Sequence, residues 1–207
     1  MIDICSEKDY TQWDGSGCNF PLGIPDNIVT TPREISIEDT DADNLIDFLR
    51  AKALLTDKTK KYYPVLGPGR QICRVTNEST EPTYGSLDKG YQRKLMAGRV
   101  IFLFEWDSFN LSDKHILRLD GYSGGCLIIN DQKLLIGFKN ADGTMGALPC
   151  EIAVFGGGFS GSGGELETIK MRVDFGPQDQ FVKSAMAFAF KETDRFENII
   201  PPPTPTP

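Results

Sequence analysis

The chain has 207 residues, of which 40% are hydrophobic and 21 are glycine, enough apolar material for a buried core in one domain with extensions. A formal net charge of −7 argues against a general nucleic-acid binder that works by neutralising phosphates. No apolar run approaches the roughly 18 residues of a membrane helix, and the opening Met1-Ile2-Asp3-Ile4 has neither the basic nor the apolar region of a secretory signal.

Residues 1–38 read as an irregular N-terminal arm, because Pro21, Pro25 and Pro32 with Gly15, Gly17 and Gly23 interrupt every period. Trp13, Phe20, Leu22, Ile24, Ile28 and Val29 are too apolar for a free tail, so the arm is expected to pack on a neighbouring subunit. Folding back over its own domain is the alternative. A helix is expected near 41–55, capped by Thr40 or Asp41, with Leu45, Ile46, Phe48, Leu49, Ala53 and Leu54 on one stripe. From Gln71 the pattern becomes β. Strands are expected at 71–76, Arg99–Trp106, Cys126–Asn130, Lys133–Lys139, Cys150–Phe155, Leu166–Phe175 and Ser184–Lys191, with a short helix from Ser112 to Leu119. Asn130-Asp131 and Asp142-Gly143 mark turns. The chain ends in a proline-rich tail, residues 196–207. The expected architecture is therefore mainly β: a β-sandwich or half-barrel of about seven strands over residues 39–195, with one flanking helix and one short helix between strands.

The chemical motifs are few. Gly121-Tyr122-Ser123-Gly124-Gly125 fits G-x-S-x-G, but a nucleophile elbow needs a strand-to-helix turn and a histidine downstream; the single histidine, His115, lies upstream. Gly156, Gly158 and Gly161 fit G-x-G-x-x-G, yet Ser162-Gly163-Gly164 cannot open the helix that a pyrophosphate requires. Asp39, Asp41 and Asp43 imitate a calcium loop, but Asn44 stands where glycine is needed and Arg50 where a bidentate Glu is needed. Helix capping explains these aspartates. Lys58 to Lys61 read as a solvated basic loop. Five cysteines, Cys5, Cys18, Cys73, Cys126 and Cys150, include no pair at metal-knuckle spacing, and the last three read as buried free thiols. Asn77-Glu78-Ser79 and Asn110-Leu111-Ser112 match glycosylation sequons, which carry meaning only after secretion. No catalytic, cofactor-binding or metal-ligating residue is assigned, and an enzyme is not expected.

A family resemblance runs from about residue 71 to 188. It is carried by Arg74-Val75-Thr76-Asn77-Glu78-Ser79-Thr80, by Tyr84-Gly85, by Val100–Phe104 and by the short helix. It continues through Cys126-Leu127-Ile128-Ile129, Leu134-Leu135-Ile136-Gly137 and Asn140-Ala141-Asp142-Gly143-Thr144. It closes with Cys150–Phe155, the glycine loop, Leu166–Phe175 and Gln180-Phe181. This order resembles tailed-bacteriophage virion structural proteins, the tail-tube-like β-sandwich of Bacteroidetes phages. The resemblance implies a virion protein made in the host cytoplasm, a tail-tube or ring subunit that assembles with copies of itself and with other virion proteins. It implies a conduit through which DNA passes transiently, with no membrane and no cofactor. Head-associated or decoration proteins are the nearest alternative within the virion. A non-catalytic glycan-binding β-sandwich is the alternative outside it; Trp13, Tyr62, Tyr63, Tyr84, Tyr91 and Trp106 are its candidate contacts.

Overall fold

The structure, a computed structural model, describes residues 25–42, 44–65, 74–86, 92–96, 98–106, 114–156, 169–178, 180–181 and 185–191. Its elements in chain order are β1 (Pro25–Thr31), α1 (Asp39–Ala42), α2 (Leu45–Ala53), β2 (Tyr63–Pro64), β3 (Arg74–Asn77), β4 (Thr83–Ser86), β5 (Gln92–Met96) and β6 (Arg99–Trp106). After these come α3 (Lys114–Leu117), β7 (Tyr122–Asn130), β8 (Leu134–Lys139), β9 (Met145–Gly146), β10 (Leu148–Gly156), β11 (Ile169–Pro177) and β12 (Ala185–Ala189). The protein is mainly β, as its turn spacing and apolar runs imply. The chain forms two compact units. One holds residues 1–72, 124–148 and 184–207; the other holds 73–123 and 149–183.

In the first unit β1 lies antiparallel to β7, with Ile28 opposite Ile128 and Val29 opposite Leu127. On its other side β1 takes the short β2. The hairpin expected at Asn130-Asp131 is present: Ile128 faces Ile136 and Ile129 faces Leu135. Asn130 Oδ1 holds the turn by accepting from the backbone N–H of Gln132 (3.1 Å) and Leu134 (2.8 Å). Lys133 closes it at φ 57°, a left-handed position better suited to glycine. β8 continues to β12, where Ala187 faces Ile136, and pairs with β9 across the Asp142-Gly143 turn. There Asp142 Oδ1 accepts from the Thr144 N–H and hydroxyl at 3.0 and 2.7 Å, and Gly143 takes φ 86°.

Two local expectations change in this unit. Residues 25–31, read as irregular from their prolines, form a strand. Pro25 sits at its first position, where no ladder N–H is needed, and Pro32 follows its end. Asn27 to Thr31 are all buried, so no alternation marks the strand in the sequence. This stretch packs inside its own unit and is not free for a neighbour; residues 1–24, with Trp13, Phe20, Leu22 and Ile24, lie outside the described residues. The helix expected near 41–55 is also shorter. A single turn, α1, precedes α2, and Asn44 rather than Thr40 or Asp41 stands at the N-cap of α2, with no side-chain capping bond. Asn44 Nδ2 donates instead to Asp47 Oδ2 at 2.6 Å. The stripe itself holds: Leu45, Ile46 and Leu49 are buried in a core with Val29, Leu127, Ile129, Leu135, Met186 and Phe188. Each such side chain is worth roughly 1.5–3 kcal/mol. Leu54, just past the helix, is exposed.

The second unit is built around β6 and β11. Met171 faces Phe104 and Val173 faces Phe102. β10 pairs with the other side of β11, Ile152 facing Val173, and β3 pairs with β6, Val75 facing Phe104. β4 and β5 form a separate antiparallel pair. Inward residues alternate with outward ones: Ile169, Met171, Val173 and Phe175 are buried, while Lys170 is exposed and Arg172 and Asp174 are half-buried. Phe102, Phe175 and Phe181 meet edge to face, with ring centroids 6.1 and 5.9 Å apart. The short helix expected from Ser112 to Leu119 is α3, a single turn, and Gly121 beyond it takes φ 73° as a stop.

Candidate functional site

The G-x-S-x-G segment shows what its glycines do. Gly121 occupies a left-handed position between α3 and β7, and its N–H donates to Ile152 O at 3.0 Å. Gly125 lies within β7; a Cβ there would stand 2.6 Å from Pro32 O, 2.9 Å from Thr31 Oγ1 and 2.5 Å from Ala147 Cβ. Both glycines are therefore demanded by backbone geometry. Ser123 is exposed on a strand, not raised on a strand-to-helix elbow. It borders a groove of about 360 Å³ with Gly121, Tyr122, Glu151, Arg172 and Asp174. Asp174 in that groove is clamped by Arg99 Nε at 2.9 and 3.2 Å, so it is not a free base.

The other motifs resolve in the same direction. Asp41 Oδ2 accepts from the Glu38 N–H at 3.1 Å, a local turn contact. Asp43 lies outside the described residues, as do Gly158 and Gly161; Gly156 ends β10 at φ 90°. Lys58 and Lys60 are exposed, and Lys61 Nζ lies 5.4 Å from the Tyr63 ring centroid. Asp57 Oδ1 accepts from the Thr59 hydroxyl and N–H at 2.6 and 2.9 Å, which pulls its pKa down. His115 belongs to α3 by its backbone; its side chain lies outside the described set. Cys126 and Cys150 are buried and outside any disulfide, while Cys5, Cys18 and Cys73 fall outside the described residues. Among the glycan candidates, Tyr62 and Trp106 are buried in the cores and present no face to a ligand; Tyr63 is exposed. Burial, with the Asp41 charge adding to it, pushes the Tyr62 phenol well above its usual range. Trp13 and Tyr91 and the side chain of Tyr84 are not described. Asn110-Leu111-Ser112 is likewise outside, whereas Asn77 Oδ1 accepts from the Ser79 N–H at 2.9 Å.

The outward face of the second unit carries charges that form no local motif. Three strands carry a ladder of ion pairs there. Lys170 Nζ meets Glu105 Oε1 at 2.7 Å, and Arg74 Nη1 approaches Glu105 Oε2 at 3.7 Å. The bond from Lys170, then the Lys170 and Arg74 charges, hold the Glu105 carboxyl below its usual range. Arg99 pairs with Asp174, and its own pKa is raised mainly by that bond. Arg172 Nε lies 3.6 Å from Glu78 Oε2, a looser contact. No protein family model, curated protein or solved structure matches this chain. In each close pair of the ladder a half-exposed cation covers a carboxylate that is only 13–15% exposed.

At the margin of that ladder runs β3. The Glu78 N–H donates to Ile101 O (2.9 Å), and Thr80 exchanges both bonds with Arg99 (2.9 and 3.1 Å). Antiparallel alternation then turns the backbone groups of Arg74 and Thr76 toward β6, and those of Val75 and Asn77 away from it. Among the described residues β3 pairs with β6 alone. Arg74, Thr76 and Asn77 are exposed. The result is a short, polar, open sheet edge. Among the described residues no group of three or more His, Cys, Asp or Glu gathers as a metal cage, and no helix is long and apolar enough to cross a membrane.

Proposed function

We propose that this chain is a structural subunit that assembles with copies of itself, of the ring or tail-tube type found in phage virions, and that it is not an enzyme. The observation that carries this is the edge of β3, open among the described residues, whose outward N–H and C=O groups at Val75 and Asn77 are a template for another strand. Edge-to-edge pairing is how a β subunit extends a sheet from one copy to the next. The net charge of −7 agrees with a conduit along which DNA slides without sticking, since like charges do not bind. The resemblance over residues 71–188 supplies the virion assignment, with other virion proteins as further partners. The test is direct. The full-length protein, concentrated and imaged by negative-stain electron microscopy, is expected to form rings or tubes of uniform diameter. A preparation that shows no ring or tube at any concentration up to the millimolar range overturns the proposal.

A further inference from the structure

An open edge that waits for assembly is an aggregation hazard in the free protein, and natural sheets cover or block such edges. The sequence around β3 contains a specific cover for it. The groups that need partners are the N–H and C=O of Val75 and Asn77. Three antiparallel self-pairings bring these groups to a second copy. Pairing Val75 with Val75 leaves Asn77 facing residue 73 and sets Arg74 against Thr76. Pairing Asn77 with Asn77 sets Val75 against Ser79, whose N–H is already given to Asn77 Oδ1 at 2.9 Å. Pairing Val75 with Asn77 satisfies all the outward groups at once. It sets Thr76 against Thr76 and, on the same outward face, Arg74 against Glu78. Both side chains are available: Arg74 is 73% exposed and 3.7 Å from Glu105, and Glu78 is 40% exposed and 3.6 Å from Arg172, so neither is tied by a close bond.

We infer that in the free subunit β3 pairs antiparallel with β3 of a second copy about a two-fold axis at Thr76, with Arg74 of each chain opposite Glu78 of the other. Such an isologous contact is self-complementary and closes after two chains. It uses the same edge that ring formation requires, so this dimer is a resting form that opens before assembly. The inference rests on self-assembly through β3 as proposed above, but it names a different product, a closed pair.

The test is a charge-swap cycle on the full chain, read by sedimentation equilibrium at low ionic strength. The wild type is expected to be a dimer in equilibrium with monomer. Arg74→Glu and Glu78→Arg should each weaken the dimer about tenfold, because each turns two symmetric cross-strand attractions into repulsions. The double variant should return to within about threefold of wild type on the same pairwise logic. Within one chain the swap has the opposite effect. Arg74 neighbours Glu105 and Glu78 neighbours Arg172, so intrachain damage accumulates in the double variant. Val75→Pro removes an N–H that points away from β6, leaves the β3·β6 ladder intact, and should abolish the dimer. Circular dichroism checks that each variant is folded; if Val75→Pro unfolds, the charge-swap cycle decides alone. A monomeric wild type, or a double variant that dimerises no better than the worse single variant, overturns the inference. Rings without a free dimer remove this inference and keep the proposed function. A rescued dimer that never forms rings does the reverse.

Discussion

The strands of the two units differ in what their faces meet. In the first unit, Asn27–Thr31, Cys126–Asn130 and Leu134–Gly137 are buried at every position. In the second, Ile169–Phe175 alternates buried with exposed or half-buried, and Pro149–Ile152 alternates exposed with buried. A strand covered on both faces has nowhere to place a charge, so these stretches carry none and their few polar residues, Asn27, Thr30, Thr31 and Asn130, are buried and uncharged. A strand covered on one face places a charge at every second residue, and these charges become the ion-pair ladder. The lesson is that the charge pattern of a strand reports its environment more faithfully than its length or β propensity does.

The largest test of this contrast is truncation. Leu135 is fully buried in the first unit, and Leu135→Ala should cost about 2–5 kcal/mol in urea unfolding. Phe155, half exposed on the second unit, should cost well below that, about 0.5 kcal/mol, when changed to Ala. A Phe155→Ala loss equal to that of Leu135→Ala would show that the outward face is covered. Next comes Gly125→Ala. Two of the three atoms that the new Cβ would meet, Pro32 O and Ala147 Cβ, belong to the main chain or its first side-chain atom and cannot swing aside, so a loss of about 3 kcal/mol is expected. A smaller effect of opposite sign is expected at the hairpin, where Lys133→Gly relieves a left-handed residue and should raise stability by about 0.5–1 kcal/mol.

The finest comparison uses pH. Asp26, at the edge of the first unit, has its pKa raised by desolvation and then by the Asp131 charge. Its ionised form therefore opposes folding at neutral pH. Asp26→Asn should raise the melting temperature at pH 7, and the gain should fade as pH falls through the raised pKa toward the ordinary aspartate value of about 4. Glu105, in the ladder of the second unit, is shifted the other way. Its contribution is present above the unfolded value of about 4.3 and is lost as pH falls through the depressed folded pKa. Glu105→Gln should therefore lower the melting temperature at pH 7 and become neutral in acid. Melting curves at pH 7 and pH 3 check both signs. Equal behaviour of the two variants would mean that the carboxylates share one environment.

Much of the fold is legible in the sequence. Arg99–Trp106 occurs with the bounds its apolar run implies, and the turns at Asn130-Asp131 and Asp142-Gly143 fall where Asx chemistry puts them. These features are local: a side chain two residues from the backbone group it bonds, or an apolar run with turn residues at its ends. β1 was hidden because burial on both faces erases alternation, and because Pro25 reads as a breaker until its place at the strand start is known. The cap of α2 was misplaced for a related reason: Thr40, Asp41 and Asn44 are all good caps, and packing of Leu45, Ile46 and Leu49 selects among them. The charges that form the ladder are visible as Lys170, Arg172 and Asp174 between buried residues, but their partners Glu105, Glu78 and Arg99 lie 65 to 94 residues away in the chain. Likewise the identity of an edge strand is a fact of topology. Arg74–Asn77 reads as a strand from its own residues, but whether its outward N–H groups have partners depends on which strands the rest of the chain lays beside it. Local chemistry fixes the long apolar strands, the Asx turns and the alternation of β11, whereas the strands left at the sheet margins, β3 among them, follow from pairing order, which long-range contacts set and no local pattern contains.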